Sequence, residues 1–585
     1  MTNNRLFTKL IGTDRAVSAI GFALFRISFA CFLAIFIGNV YYFKPLVFNS
    51  FITIGPNPFP ARLFLAIWFS ASLSLLIGWQ TRIAAWINYL CVVIAAYIFS
   101  NNGCGAFNDD LLRIGSFMIL IFPTHKNYSI DAILHTIKYG QNYPNTTSRY
   151  NYLVAVFISL GLMYWASSIT KLVSPIWQKG LGLWIPAVVP QNKWNDIDLL
   201  LNQEWLMIGV NYLTIIWEFL FIAALFNRSL RPYFAWVGIF FHLSIAAIFP
   251  FWLLCFGPLP FYFLLFYDKI GSKSTLKAQL CISYNSNSSR QTLFVRFVQA
   301  LNTNIKLNPI AVGRLHVNNN HFNSNWDAAL HLLDKHWYGP LLSWTFKIKF
   351  GQLLYIFIAD DVLKTNQTTS TQELLAPKFK QTALIYFSLL LLFVQVFYST
   401  YHLVKNNEEE IKGIDLTEKK YRPRKNISDV SLKPANLFRT LLGINARGVF
   451  LDHSSIGNKP VFAITYQTAD GQEHWLPHFT PEGYCLSYNM NQMWSQYSFN
   501  AVCSGTIPNP IGLQQVIAFW AQKNQQSLDS MDFTVLKRVY TFPTKFKKNY
   551  LNEQKKLPWT PEGLVKWRKG KFCYMPFDSV QNTQN

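Results

Sequence analysis

The segment Tyr164-Trp-Ala-Ser-Ser-Ile-Thr-Lys171-Leu-Val-Ser-Pro175-Ile-Trp177-Gln-Lys-Gly180 closes an apolar run on a single ammonium group. The run, residues 150–172, is long enough to cross a hydrocarbon layer, so Lys171 stands where the chain leaves it. Two readings are open. A lysine at a helix end ordinarily snorkels to the headgroups and anchors the helix. A lysine kept from water is instead driven toward its neutral form, and a neutral amine is a base for a weakly acidic substrate. The other ionisable groups in apolar runs decide between them. Glu218 lies within residues 206–226 and His242 within residues 233–252. Charge is costly in hydrocarbon, so such groups face a bundle interior or a water-filled cavity. Glu218 therefore needs a partner, for which His242 or Arg113 is available, whereas a buried histidine alone is commonly a structural donor. A further cluster, Asp109, Asp110 and Arg113, opens a short apolar helix that stops at Pro123. Helix-dipole complementarity and an i,i+4 pair account for it, yet it faces the same side as Lys171 if spans alternate.

These groups need apolar helices to hold them, and the composition supplies them. Of 585 residues, 51% are hydrophobic, 17% aromatic and only 14% charged. That balance predicts a mainly α polytopic membrane helix bundle with soluble parts attached. The formal charge of +23 fits cytoplasmic loops and anionic headgroups of a lipid bilayer, and no nucleic acid partner is expected. Eight cysteines without regular spacing give no zinc signature and no dense disulfide framework. Cys485 and Cys503 are free to pair only if their region is extracytoplasmic.

About nine apolar runs are long enough to consider as spans. The first starts at Ser18, behind an arm with Arg5, Lys9 and Arg15 that favours a cytoplasmic N-terminus; Arg26 within it is expected to snorkel. Residues 61–79 and 83–100 form a hairpin around Gln80-Thr81-Arg82. Runs at 111–123, 150–172, 206–226, 233–252, 253–267 and 383–404 follow. The count is open at two places, the short run 111–123 and the Gly257-Pro258-Leu-Pro260 break, which suits a re-entrant segment. Lys126, Lys138 and Arg149 mark a cytoplasmic loop, so Lys171 falls on the outer side. Beyond it, Trp177, Trp184, Trp194 and Trp205 occupy a loop with few charges, either the wall of an opening between helices or an interfacial aromatic belt.

The domain organisation expected is a transmembrane bundle at residues 1–268, a small soluble α/β domain at 269–377, and a further transmembrane helix at 378–404. A charged linker at 405–427 and a C-terminal soluble β-rich module at 428–585 complete it. In the α/β domain, Leu280-Cys-Ile-Ser-Tyr284 reads as a strand and residues 293–301 as a helix. In the C-terminal module, residues 461–466, Asp470-Gly471 and His474-Trp-Leu read as a hairpin, with a helix over residues 513–522. Glu473, His474 and His478 suggest a metal at first sight, but Pro477 intervenes and no fourth ligand has suitable spacing, so no metal is expected.

Residues 16–267 resemble the horizontally transferred transmembrane (HTTM) domain, the family that includes vitamin K-dependent gamma-glutamyl carboxylase. The matching pieces are Leu24-Phe-Arg26; Asn108-Asp-Asp-Leu-Leu-Arg113 to Phe122-Pro123 and Tyr128-Ser-Ile-Asp131; Ile169-Thr-Lys171-Leu with Trp177 and Gly180; and Trp217-Glu218 through Phe241-His242-Leu. The resemblance implies an integral, multi-pass protein of a bacterial cytoplasmic membrane. It implies carboxylase-like activity with a reduced, vitamin K-like quinone as cofactor, O2 and CO2 as co-substrates, and a secreted peptide or protein as substrate. Lys171 would be the catalytic base, and Asp109, Asp110, Arg113, Glu218 and His242 would shape its cavity. One position departs from the carboxylases, which carry a histidine near Asn108 where this chain has Asp109 and Asp110; a carboxylate donates the same hydrogen bond only when protonated. The region after the bundle resembles a degenerate thioredoxin-like module, with residues 352–359 as its closing helix and both motif cysteines missing, which removes dithiol exchange. The alternative to an enzyme is a non-catalytic membrane protein of secreted-peptide maturation or immunity.

Overall fold

The computed structural model describes residues 14–48, 59–101, 110–141, 145–267, 280–301, 305–311, 316–317, 386–396, 441–442, 457–468, 471–486 and 510–577, with Ala383 and Pro508. Asp109, Cys503 and residues 352–359 lie outside them. Helices predominate. In chain order the longer ones are α1 (Ile20–Tyr42), α2 (Ala61–Ile77), α3 (Thr81–Asn101), α4 (Asp110–Ile121), α5 (Ile130–Tyr139), α6 (Arg149–Val173), α7 (Glu204–Phe226) and α8 (Arg231–Ile248). Of these, α1, α3, α6, α7 and α8 are long and apolar enough to cross a membrane. The remaining apolar runs are shorter. The run 111–123 gives only the 12 residues of α4. The run 253–267 breaks at Gly257-Pro258 into Trp252–Phe256, Leu259–Tyr262 and a 3₁₀ turn Phe263–Phe266, because proline has no N–H to continue the ladder. The described part of the last run, Tyr386–Val396, is helical and meets α4 where Phe387 packs on Phe117.

One end of the helical body is fastened around Arg26, and here the structure departs from the expected snorkel. The guanidinium is fully buried and donates to the carbonyls of Thr124, at 2.8 Å, and Tyr128. Loop carbonyls that would otherwise be unpaired satisfy the charge internally, so it need not reach the headgroups. Gly78, with φ of 71°, ends α2 beside it, where a Cβ would collide with Ser129 and Arg26. Asp131 completes the fastening by accepting from the N–H groups of Gln80 and Thr81, both at 2.8 Å. At this same end, β1 (Ala16–Ser18) pairs antiparallel with β2 (Thr146–Ser148), and Arg231 stacks on Tyr267.

Helix α6 is not uniform. Residues Phe157–Gly161 form a π turn, and Ser159 donates to the Ala155 carbonyl at 2.7 Å within it. The half before the turn packs on α1 through Tyr152 and Phe22, whose rings lie 4.2 Å apart, and the half after it packs on α7.

The expected strand and helix after the bundle are present as β3 (Leu280–Asn285) and α9 (Ser289–Leu301), followed by β4 (Ile305–Ile310) parallel to β3 and β5 (His316–Val317) antiparallel to it. Helix α9 rests on α5, where Arg296 donates to the Ile137 carbonyl at 2.9 Å. In the C-terminal region the expected hairpin forms from β6 (Asn458–Gln467) and β7 (Glu473–Trp475), with Tyr466 opposite His474. β8 (Asp532–Thr541), β9 (Thr560–Arg568) and β10 (Lys571–Pro576) extend it to a five-stranded antiparallel sheet of order β10-β9-β8-β6-β7. The expected helix is α10 (Pro510–Lys523), which lays Trp520 on Tyr466, ring centroids 4.8 Å apart. This module joins the helical body at the end away from Arg26: Phe519 packs on Phe43 at 5.5 Å, and Lys523 lies over Tyr42.

Replacing Arg26 by alanine strands the Thr124 and Tyr128 carbonyls, and we expect a loss of at least about 2 kcal/mol. Thermal melting of the full chain in detergent measures it. An unchanged midpoint would show that the loop is held by other contacts.

Candidate functional site

Lys171 and Tyr164 are seven residues apart on the upper half of α6, which puts them on one face two turns apart. That face looks onto Trp217, Glu218 and Phe221 of α7 and, through Tyr164, onto His242 of α8. Lys171 and Glu218 form a buried ion pair, closing a gap of 47 residues in sequence. The ammonium also lies 4.8 Å from the ring centroid of Trp177, which caps it from the segment after α6. Trp177 is fixed in turn, since its carbonyl accepts from Asn211 of α7 at 3.0 Å, and Gly182 leaves room for its ring where a Cβ would collide.

A second polar group adjoins the first. Tyr164 hydroxyl is 2.7 Å from His242 Nε2 and 2.5 Å from Tyr262 hydroxyl, so one hydroxyl links three chain segments. Tyr262 reaches this position because α8 offers Gly238 beneath it; a Cβ there would overlap the phenol. The two groups feel one another electrostatically, His242 with Lys171 and Tyr262 with Glu218. Around them, Trp217 Nε1 is buried without a hydrogen-bond partner, and Ser167 hydrogen-bonds the Glu218 carboxylate. The Trp217 donor is left over among aromatic rings.

Lys171 is therefore neither a snorkelling anchor nor an isolated amine. Its partner is the carboxylate for which the sequence offered His242 or Arg113. Arg113 is engaged elsewhere: it pairs with Asp110 one turn earlier on α4, at i,i+3 rather than i,i+4, and both are buried. That pair lies beside Tyr89 of α3, and α4 touches α6 at its π turn, ten or more residues before Lys171. The structure accordingly brings Lys171, Glu218 and His242 together and puts Asp110 with Arg113 in a second cluster. The tryptophans of the following loop divide between interior and surface. Trp177 and Trp184 are fully buried, whereas Trp205 is 74% exposed.

Tyr164, Tyr262 and Trp217 were not marked as site residues by sequence. The spacing of Tyr164, two helical turns from Lys171, was the one signal available. A shallow hollow of about 350 Å³ lies elsewhere, between α2 and α3, lined by Ser70, Ser74 and Ile83 among others. His474 faces Tyr466 on the sheet while His478 is buried beyond Pro477, and among the described residues no three His, Cys, Asp or Glu side chains gather as for a metal ion. No family model, curated protein or solved structure matches the chain.

Removing Glu218 leaves a buried ammonium without its counter-charge. We expect Glu218→Ala to cost about 3 to 5 kcal/mol, and the apolar pair Lys171→Met with Glu218→Leu to regain most of it. A double-mutant cycle of denaturation midpoints in detergent checks both, and additive single effects would mean that the two groups do not interact.

Proposed function

We propose that this chain is a multi-pass integral membrane protein with carboxylase-like activity, in which Lys171 is the base toward a weakly acidic, apolar substrate, a reduced quinone. The observation that carries this reading is the meeting of Lys171 with Glu218 inside the helical body, with Trp217 Nε1 buried and unpartnered alongside. A lysine–carboxylate pair has two proton arrangements, ammonium with carboxylate or amine with carboxylic acid. Both are neutral overall, but the second leaves no formal charge on either group and so suits a dry interior. In it, Lys171 Nζ is free to take a hydroxyl proton, and the ammonium so formed stabilises the anion left on the substrate.

The remaining residues have supporting parts. Trp177, Trp217 and Tyr164 offer aromatic faces suited to a planar ring, and Trp217 Nε1 is a donor for its oxygen. His242 and Tyr262 hold Tyr164 in place. The quinone, with O2 and CO2 as co-substrates, would supply the carbon–carbon bond-forming chemistry toward a secreted peptide or protein. The basic arm and loops support a cytoplasmic location for the Arg26 end, which would put Lys171 and the C-terminal module on the outer side.

A second reading is favoured by the closure of the pair. Trp177 covers Lys171, and the hollow between α2 and α3 is lined by none of these residues. On that reading the pair locks α6 to α7 in a non-catalytic membrane protein of secreted-peptide maturation or immunity. The two separate in one assay. Purified protein incubated with a reduced naphthoquinone, labelled bicarbonate and glutamate-containing peptides is expected to incorporate label, and Lys171→Ala to lose it by at least about 100-fold. Equal incorporation by both removes Lys171 as the base, and none by either leaves the locking role.

A further inference from the structure

The segment 174–203 that caps Lys171 is gripped on its other side by the C-terminal module. Trp184 packs on Phe546, ring centroids 4.9 Å apart. Asn202 accepts from the Asn549 N–H at 2.6 Å and donates back to its side chain at 3.0 Å. The Lys193 carbonyl accepts from the Cys485 N–H at 2.9 Å. In this seam the side chain of Lys193 is fully buried, and Nζ has no hydrogen-bond partner.

The charged neighbours of Lys193 make their hydrogen bonds to other groups, although Asp198 keeps Oδ1 buried without one. Asp196, on its own loop, takes Lys555 of helix α11 (Tyr550–Lys555) at 2.7 Å and the Tyr484 hydroxyl at 3.1 Å. Asp198 takes Asn552. From the strip 478–486, Tyr484 turns its ring to Lys193 at 5.8 Å, and Glu482 lies beyond it near Lys555. Arg538 of β8 is occupied by the carbonyls of Pro481 and Glu482 at 3.0 and 2.7 Å. Helix α8 contributes the Ala247 carbonyl, taken by Trp194 and Asn195 at 2.9 and 2.7 Å. An ammonium in the middle would be desolvated without a hydrogen bond, with only the through-space pull of Asp196, Asp198 and the Tyr484 ring to offset it.

We infer that the C-terminal module docks on the helical body with Lys193 uncharged, so that closing this seam releases one proton and opening it takes one up. The inference rests on the seam alone and on no reading of the Lys171 site. Burial pushes Lys193 from its ordinary 10.5 down to about 7, against the pull of Asp196 and Asp198. Between those two values the open form binds one more proton than the closed form. Docking therefore strengthens as pH rises from about 7, tenfold in its equilibrium constant per pH unit, and is weakest and flat below. Four groups around the seam are shifted in directions that keep them out of that window. Burial opposes the Asp196 carboxylate, but Lys555, the Asp198 N–H and Tyr484 hold it below the usual range. A hydrogen bond from Thr480 does the same for Glu482. Burial raises Tyr484 and holds His478 down to about 4.

Hydrogen–deuterium exchange on the full chain in detergent tests this, with exchange times corrected for the intrinsic rate. Peptides covering 478–486 and 549–555 are the readout. In the wild type, seam opening is expected to fall roughly fifteen-fold from about pH 7 to about pH 8.5. In Lys193→Met it should be flat over that range, at or below the wild type's lowest level. In Lys193→Arg, which keeps its charge, the seam should stay open throughout. A flat wild type would falsify the inference, and so would an undiminished slope in Lys193→Met; the wild-type slope decides the matter even if a variant does not fold.

Discussion

A lysine and a glutamate withdrawn from water must find one another, and that requirement sets the arrangement of the upper helical body. Uncompensated, either charge would cost several kcal/mol. Paired, they fix which face of α6 meets which face of α7. The consequences spread outward from that contact. Trp177 is held over the ammonium by Asn211, so the chain leaving α6 must fold back across its own helix end. That fold-back brings Trp184, Lys193 and Asn202 to the C-terminal module. A single buried pair thus organises the route from the helices to the sheet.

The buried cations of this protein are accommodated in different ways, and the differences carry functional meaning. Arg26 is answered by backbone carbonyls and Arg113 by a carboxylate one turn away. Both solutions are local and static, suited to holding loops and helix ends. Lys171 is answered by a carboxylate from another helix, which ties α6 to α7. Lys193 has no hydrogen-bonding answer. Groups whose charge is not fixed by their partners are where proton chemistry is available.

Much of the fold was legible because apolar runs and turn residues act locally. Residues 206–226 and 233–252 became α7 and α8, and Asp470-Gly471 marked the β6–β7 hairpin. The site was legible in its members more than in its pairing. Lys171, Glu218 and His242 stood out as ionisable groups in apolar runs, and they do converge. The Lys171–Glu218 partnership was not readable, since it depends on helix rotation, which hydropathy alone does not encode. Arg26 and the buried tryptophans escaped for a related reason. Position along a run suggested a membrane boundary, while the loop and module that cover them come from distant sequence.

The π turn at Phe157–Gly161 gives that rotation a cause. A wide turn carries one surplus residue, which advances everything after it by about 100° around the helix axis relative to an unbroken ladder. The two halves of α6 are thereby phased separately, one to Phe22 of α1 and the other to Glu218 of α7. This insertion acts like a dial set between two neighbours: a chain with the same amino acids but one fewer at this point would keep its lower contacts while aiming the ammonium away from its carboxylate.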